Sequence, residues 1–226
     1  MDFAHHVRLK KTLSLSAFLN LRLEKIYPAL CLVLFAETSS AASLTESLIQ
    51  CSPSFSSTLY EHRTELGKVV KVEQDEKQHA WIPVPDRSDT SKSTATFSKS
   101  IHDKSLTLSG FYDNHFDLGV QGAYYFWGFQ VDGSREAVMA ATPEAGWKQA
   151  GEYYISNPRI KLSSDGGWQP NASAASEIAP APGTAEKLVM LSQESGKTLL
   201  LCSVQGSISN TLLHQERPDL AEKSAQ

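Results

Sequence analysis

The chain has 226 residues, 41% of them hydrophobic and 20% charged, with 21 basic residues against 25 acidic ones and a net charge of −4. Those proportions suit a folded globular protein and exclude a collagen-like, low-complexity or fully disordered chain. The basic residues are dispersed rather than gathered in stripes, so the charge pattern of a nucleic-acid binder is absent.

The first element is an apolar run from Ile26 to Ala36, eleven residues long, preceded by Arg22 and Lys25 and followed by the small residues Thr38-Ser39-Ser40-Ala41-Ala42. A helix of that length reaches about 16 Å, half of what a membrane span requires. The pattern is that of a cleaved export leader covering residues 1–42, with Ser40 and Ala42 suited to a signal peptidase and a cut before Ser43; a cut one residue earlier, after Ala41, is the close alternative. The flank ahead of the run is long for a leader, which points to a translation start near residue 21. Residues 5–25 also suit an amphipathic organelle transit segment. Leu30 before Cys31 and Gln50 before Cys51 stand where a lipid-attachment site needs a small residue, so a lipoprotein is disfavoured.

Removing the leader takes away five basic residues (Arg8, Lys10, Lys11, Arg22, Lys25) and three acidic ones (Asp2, Glu24, Glu37). What remains is 16 basic residues against 22 acidic ones, a net charge of −6, in a chain of residues 43–226 sized for one domain. Cys51 and Cys202 remain as an even pair, and in an oxidising compartment an even pair suggests a disulfide.

Residues 43–67 carry Leu44, Leu48, Phe55, Leu59 and Leu66 at helical spacing, interrupted at Ser52-Pro53 and stopped at Gly67. Short β-favouring runs follow at 68–73, 80–84, 105–113, 122–131, 159–162, 187–192 and 198–205. Ser134 is placed to cap a helix that ends before Pro143, and 208–216 reads as another ahead of Pro218. Residues 86–100 and 163–186 read as loose segments, and the C-terminal tail is polar. Strands outnumber helices, and turn signals join several of them. The expected class is α+β: one domain with a mainly antiparallel sheet packed by an N-terminal helix and one or two short later helices.

Three patterns bear on chemistry. Ser195-Gly196-Lys197-Thr198 looks like the end of a phosphate-binding loop, but Leu191 stands where its first glycine belongs and a strand follows instead of a helix, so a hairpin turn with Gly196 at positive φ is the better reading. Asp113, His115 and Asp117 alternate: on an extended strand they share one face and form a weak candidate metal or hydrolytic set, whereas in a polar turn they are merely solvated. The run Tyr124-Tyr125-Phe126-Trp127-Gly128-Phe129 sends Tyr125, Trp127 and Phe129 to one face, either as a strand buried on both sides or as a stacking platform for a sugar or peptide that Trp81, Trp147 and Trp168 extend.

No nucleophile elbow, zinc-helix or paired-cysteine metal motif is present, and no cofactor is implied. The expectation is therefore an exported, periplasmic or secreted, non-enzymatic binding, inhibitor or immunity-like module. Its partner is a protein or glycan of the envelope; no nucleic acid and no membrane span of the mature chain are expected. The alternative is an envelope-acting hydrolase with an Asp/His site at 113–117. Nothing in the sequence specifies an oligomeric state.

Overall fold

Two short amphipathic helices open the folded part of the chain, and what separates them is proline chemistry. The computed structural model describes residues 42–163, 166–176, 179–194 and 196–220, all within one unit, Ser39–Gln226. Residues 1–41, where a leader, Cys31 and a translation start near residue 21 are expected, lie outside the described residues, as does the polar tail from residue 221.

Helix α1 (Leu44–Gln50) is capped by Ser43, whose side chain accepts from the Glu46 amide, and it ends at Cys51, which takes a left-handed conformation with φ 47°. Pro53 disfavours helix at Ser52, so the expected single helix over 43–67 is divided into α1, α2 (Phe55–Glu61) and α3 (Arg63–Leu66). Residues 68–73 are not the strand their valines suggest. The amides of Val69 and Val70 bond back to the Leu66 carbonyl, prolonging the turn, and Val69, Val70 and Val72 pack on the core from the side. A two-stranded ribbon follows, β1 (Glu73–Gln74) with β2 (Ala80–Trp81).

The main sheet has eight strands, all paired antiparallel: β3 (Thr94–Asp103), β4 (Leu106–Asp117), β5 (Ala123–Val131), β6 (Lys148–Ala150), β7 (Tyr153–Lys161), β8 (Gln169–Pro170), β9 (Ala185–Glu194) and β10 (Lys197–Gly206). Their order is β3-β4-β5-β10-β9-β7-β6, with β8 paired to β7. Two meanders therefore meet where β5 pairs with β10. Helix α4 (Arg135–Ala141) starts at the expected Ser134 cap and stops before Pro143; α5 (Asn210–Glu216) is capped by Ser209 and precedes Pro218. The fold is α+β, with the N-terminal helices packed on the sheet.

Several strands are longer than their sequence suggests. Half of the segment read as loose, 86–100, belongs to β3, an edge strand whose Ser, Thr and Lys side chains face water and so resemble a loop in composition. Strand β7 begins six residues before its expected start because a bulge, with Asn157 at φ 49°, accommodates Pro158 inside it. Within 163–186 the described residues are mostly turns, with β8 as a short pairing.

The principal core lies between the helices and one face of the sheet. Leu48, Phe55, Leu59 and Leu66 meet Phe111, Trp127, Phe129, Val131, Val189, Leu191, Leu200, Cys202 and Val204. The other face carries two smaller clusters, around Tyr112, Leu199 and Leu201 and around Ala150, Ile155 and Leu188. Cys51 and Cys202 are bonded, with their α-carbons 5.3 Å apart, so the end of α1 is tied to the middle of β10 across 151 residues of sequence. The chain-entropy account gives such a closure about 5 kcal/mol. Replacing both cysteines by alanine is expected to lower the melting temperature by about 10–20 °C; calorimetry finding a change under about 2 °C would contradict the stapling role.

Candidate functional site

Strand β4 runs through the whole segment 113–117, and alternation puts Asp113, His115 and Asp117 on the helix-side face, opposite Trp127, Tyr125 and Ala123 of β5. The polar turn expected as their alternative setting lies beyond them, at residues 118–122. Sharing a face does not make them a site, because each is committed differently.

Asp113 is 2% exposed and receives a forked pair of hydrogen bonds from Arg217, Nη1 to Oδ1 at 3.1 Å and Nη2 to Oδ2 at 2.7 Å. The same guanidinium donates from Nε and Nη2 to the two carboxylate oxygens of Asp219, at 2.8 and 2.7 Å, and lies over the Trp127 ring with 4.8 Å to its centroid. Arg87 adds a second cation, 3.3 Å from Asp113 and 3.9 Å from Asp219. Burial works against the Arg217 charge, but the adjacent charges of Asp113 and Asp219 outweigh it and hold the guanidinium pKa above its ordinary value. Burial likewise pushes the Asp219 carboxyl up, while the charge and hydrogen bonds of Arg217, helped by Arg87, bring it below the ordinary carboxylate range. Two buried carboxylates and two arginines thus balance one another. Asp113 has no capacity left for a proton-transfer role or a metal.

His115 stacks on Tyr125, ring centroids 4.4 Å apart and planes 18° from parallel. Burial lowers its imidazole pKa against the opposing pull of the Asp117 charge, so the ring is neutral at physiological pH. Asp117 is exposed and its Oδ1 accepts from the Gly119 amide at 2.9 Å, a turn-forming role. Among the described residues no group of three His, Cys, Asp or Glu side chains could hold a metal ion. A cavity of about 20 Å³ lies beside Arg217, lined by Phe55, Trp81, Phe111, Trp127 and Asp219; it has room for a water molecule or two and none for a substrate.

The aromatic run fares similarly. Trp127 is 3% exposed and Phe129 is fully buried, both in the principal core, so of the proposed platform only Tyr125 is partly accessible. Phe129 meets Phe55 and Phe111 edge-on, at 5.9 and 5.6 Å. The remaining tryptophans do not extend a platform. Each donates its ring N–H to a different partner: Trp81 to Glu73, Trp147 to Thr142, and Trp168 to Glu216, which is itself paired with Lys187. Gly196 has φ 76° in the β9–β10 turn, Lys197 lies 3.8 Å from Asp132, and Thr198 is within β10, as a hairpin requires.

The feature that sequence reasoning missed is the tip of the β4–β5 hairpin. Val120 is 98% exposed, Leu118 49% and Phe116 39%, three apolar side chains on and beside the turn 118–122, a short arm beyond the last pair of β4 with β5, Asp117 with Ala123. The arm is ordered by its own bonds. The Leu118 amide donates to the Gly122 carbonyl at 2.9 Å, Gln121 to Leu118 at 3.3 Å, Gly122 to Gly119 at 3.0 Å, and Gly119 to the Asp117 side chain. Gly122 is required: its φ is 96° and a side chain there would strike the Gly206 carbonyl oxygen of β10 at 2.4 Å. Behind the tip Phe116 packs edge-on against Phe126, at 6.2 Å. The alternation of Phe116, Leu118 and Val120 is the signal that could have marked it, but it is indistinguishable in sequence from an inward strand face.

Comparison with protein-family models, curated proteins and solved structures finds no match for this chain.

Replacing Arg217 by methionine leaves Asp113 and Asp219 buried against Arg87 alone, and about 3–5 kcal/mol of stability should be lost, read as a fall of roughly 10 °C in melting temperature. Acid should act on the same cluster through Asp219. Because the folded-state pKa of Asp219 is depressed, its contribution is complete above about pH 4 and disappears as pH falls through the folded value. Melting temperatures measured from pH 6 to pH 2 should therefore fall less steeply in Arg217→Met than in the native protein.

Proposed function

We propose that this is an exported, non-enzymatic recognition module of binding, inhibitor or immunity type, which acts in the periplasm or outside the cell and engages a partner protein with the tip of the β4–β5 hairpin. The observation that carries the reading is the tip itself. Val120, almost wholly in water, gains nothing from burial in this fold, and with the half-exposed Leu118 and Phe116 on a closed, hydrogen-bonded turn it forms a contact surface ordered before any partner arrives. A protein cleft suits this tip better than an anionic bilayer, since Asp117 lies beside it and the chain from residue 43 carries a net charge of −6. The Cys51–Cys202 bond is of the kind that persists in oxidising compartments and supports export. The commitment of Asp113 to Arg217 weighs against the hydrolase alternative at 113–117.

The test is capture of the envelope partner by tagged native protein, by Leu118→Ser and by Val120→Asp, each with its melting temperature. Both substitutions alter exposed atoms and should leave the melting temperature within about 2 °C. Each should weaken capture of the same partner tenfold or more, about 1.4 kcal/mol. Equal capture by native and variant proteins, or recovery of the protein from the cytosol with both thiols free, would overturn the reading.

A further inference from the structure

Asp103 ends β3 at the turn into β4, under the first turn of α1, and is 8% exposed. Its carboxylate accepts from the Ser43 hydroxyl at 2.7 Å, the Thr45 amide at 2.8 Å, the Leu44 amide at 3.2 Å and the Thr45 hydroxyl. All four donors are neutral. Among the described residues no lysine, arginine or histidine lies within 4.0 Å of it, and the neighbouring Lys104 is engaged with Glu46 instead. Burial pushes the Asp103 carboxyl up, and the hydrogen bonds from Thr45, Ser43 and Leu44 outweigh it. A buried carboxylate without a counter-ion is uncommon enough to need an explanation.

The explanation lies in where the chain enters. The Ser43 nitrogen and Oγ hang on adjacent carbons, and Oγ is 2.7 Å from the carboxylate, so the nitrogen is no more than about 6 Å away. Ser43 is buried, whereas Ala42 is exposed, with its carbonyl oxygen 2.7 Å from Nε2 of His62.

We propose that the leader is removed at the Ala42–Ser43 bond and that the α-ammonium so created on Ser43 is the counter-ion of Asp103, locking the new N-terminus onto the β3–β4 turn. The inference rests on the export reading and its expected cut before Ser43, and adds the ion pair that the cut would create. Hydrolysis by a signal peptidase breaks the bond between the Ala42 carbonyl carbon and the Ser43 nitrogen. Water supplies a hydroxyl to the carbon and one proton to the nitrogen; the acid formed on Ala42 then releases its proton, and the Ser43 amine takes it up. Ala42 departs with the leader, releasing His62. The alternative cut after Ala41 would put the ammonium on exposed Ala42, one residue, about 3.8 Å, farther along the chain, where it would gain no buried partner.

Three forms of the disulfide-bonded protein test this: one starting at Ser43 with a free amine, the same with that amine acetylated, and one starting at Ala42. At pH 7 the free Ser43 form should melt about 5 °C or more above the other two. An ordinary α-amino group titrates near pH 8. Pairing raises that value in the folded state, so the gain is present below about pH 8 and lost as pH rises through the folded value, closing by about pH 10. The other titratable groups at this corner, His62, Glu65, Lys68, Lys99, His102, Lys104 and Glu46, are common to all three forms, so the difference between forms reports the amine. In Asp103→Asn the gap should vanish. If that variant fails to fold, the acetylation difference and its pH dependence in the native sequence still decide. N-terminal sequencing of the exported protein separates the two claims: a start other than Ser43 overturns the assigned cut, while a start at Ser43 with equal melting temperatures for the free and acetylated forms overturns the ion pair and leaves export standing.

Discussion

A guanidinium that is 5% exposed dominates the interior of this protein. Arg217 follows α5, crosses the helix-side face of the sheet, rests on Trp127 and forks onto both Asp113 and Asp219. A buried charge of this kind is tolerated only when most of its donors are used and opposite charges sit beside it. Four polar contacts from one side chain meet that condition, and Arg87 completes the balance. The consequence is positional. The end of α5, the segment that carries Arg87 and the middle of β4 are held in one register, because sliding any of them strands a charge. A second buried pair, Lys187 with Glu216 beneath Trp168, repeats the device one residue earlier on the same C-terminal segment.

Holding β4 at Asp113 determines what its far end can do. From Asp113 the strand continues outward through His115, stacked on Tyr125, and ends at Asp117; the turn 118–122 alone lies past the last pairing of β5 with β10 at Ala123 and Gly206. Residues anchored at one end by charge and closed at the other by a hydrogen-bonded turn need little ordering on contact, and that saving in conformational entropy favours binding. The same hairpin therefore contains both the most buried acidic residue of the candidate set, on β4, and the highly exposed Val120, in the turn after it.

Much of the architecture was legible because local signals and tertiary structure agree. Ser134 and Pro143 bracket α4, Pro218 ends α5, Pro53 breaks the N-terminal helix, and Gly196 supplies the turn between the two longest apolar strands. Where they disagree, tertiary position overrides composition. Strand β3 reads as a loop because an edge strand keeps Ser, Thr and Lys in water; β7 reads short because Pro158 hides a bulge; and Val69, Val70 and Val72 read as a strand although they cover the core from a turn. The candidate site was legible only as an alternation. Asp113 and Arg217 are 104 residues apart, and nothing local in the Arg217-Pro218-Asp219 segment announces a partner on β4. The exposure of Val120 was equally hidden, since period-two alternation states that side chains share a face and leaves open which face is wet.

Amide hydrogen exchange, followed residue by residue at neutral pH in the native protein, tests the preorganised arm most directly. The amides of Leu118, Gly119, Gln121 and Gly122 each have an acceptor, and among the described residues the Val120 amide has none. Slowed exchange at those four positions, roughly tenfold or more, around a fast Val120 is expected of an arm that is ordered before it binds. Uniformly fast exchange from Leu118 to Gly122 would mean that the tip has no structure of its own, and the account of a prebuilt recognition surface would be wrong.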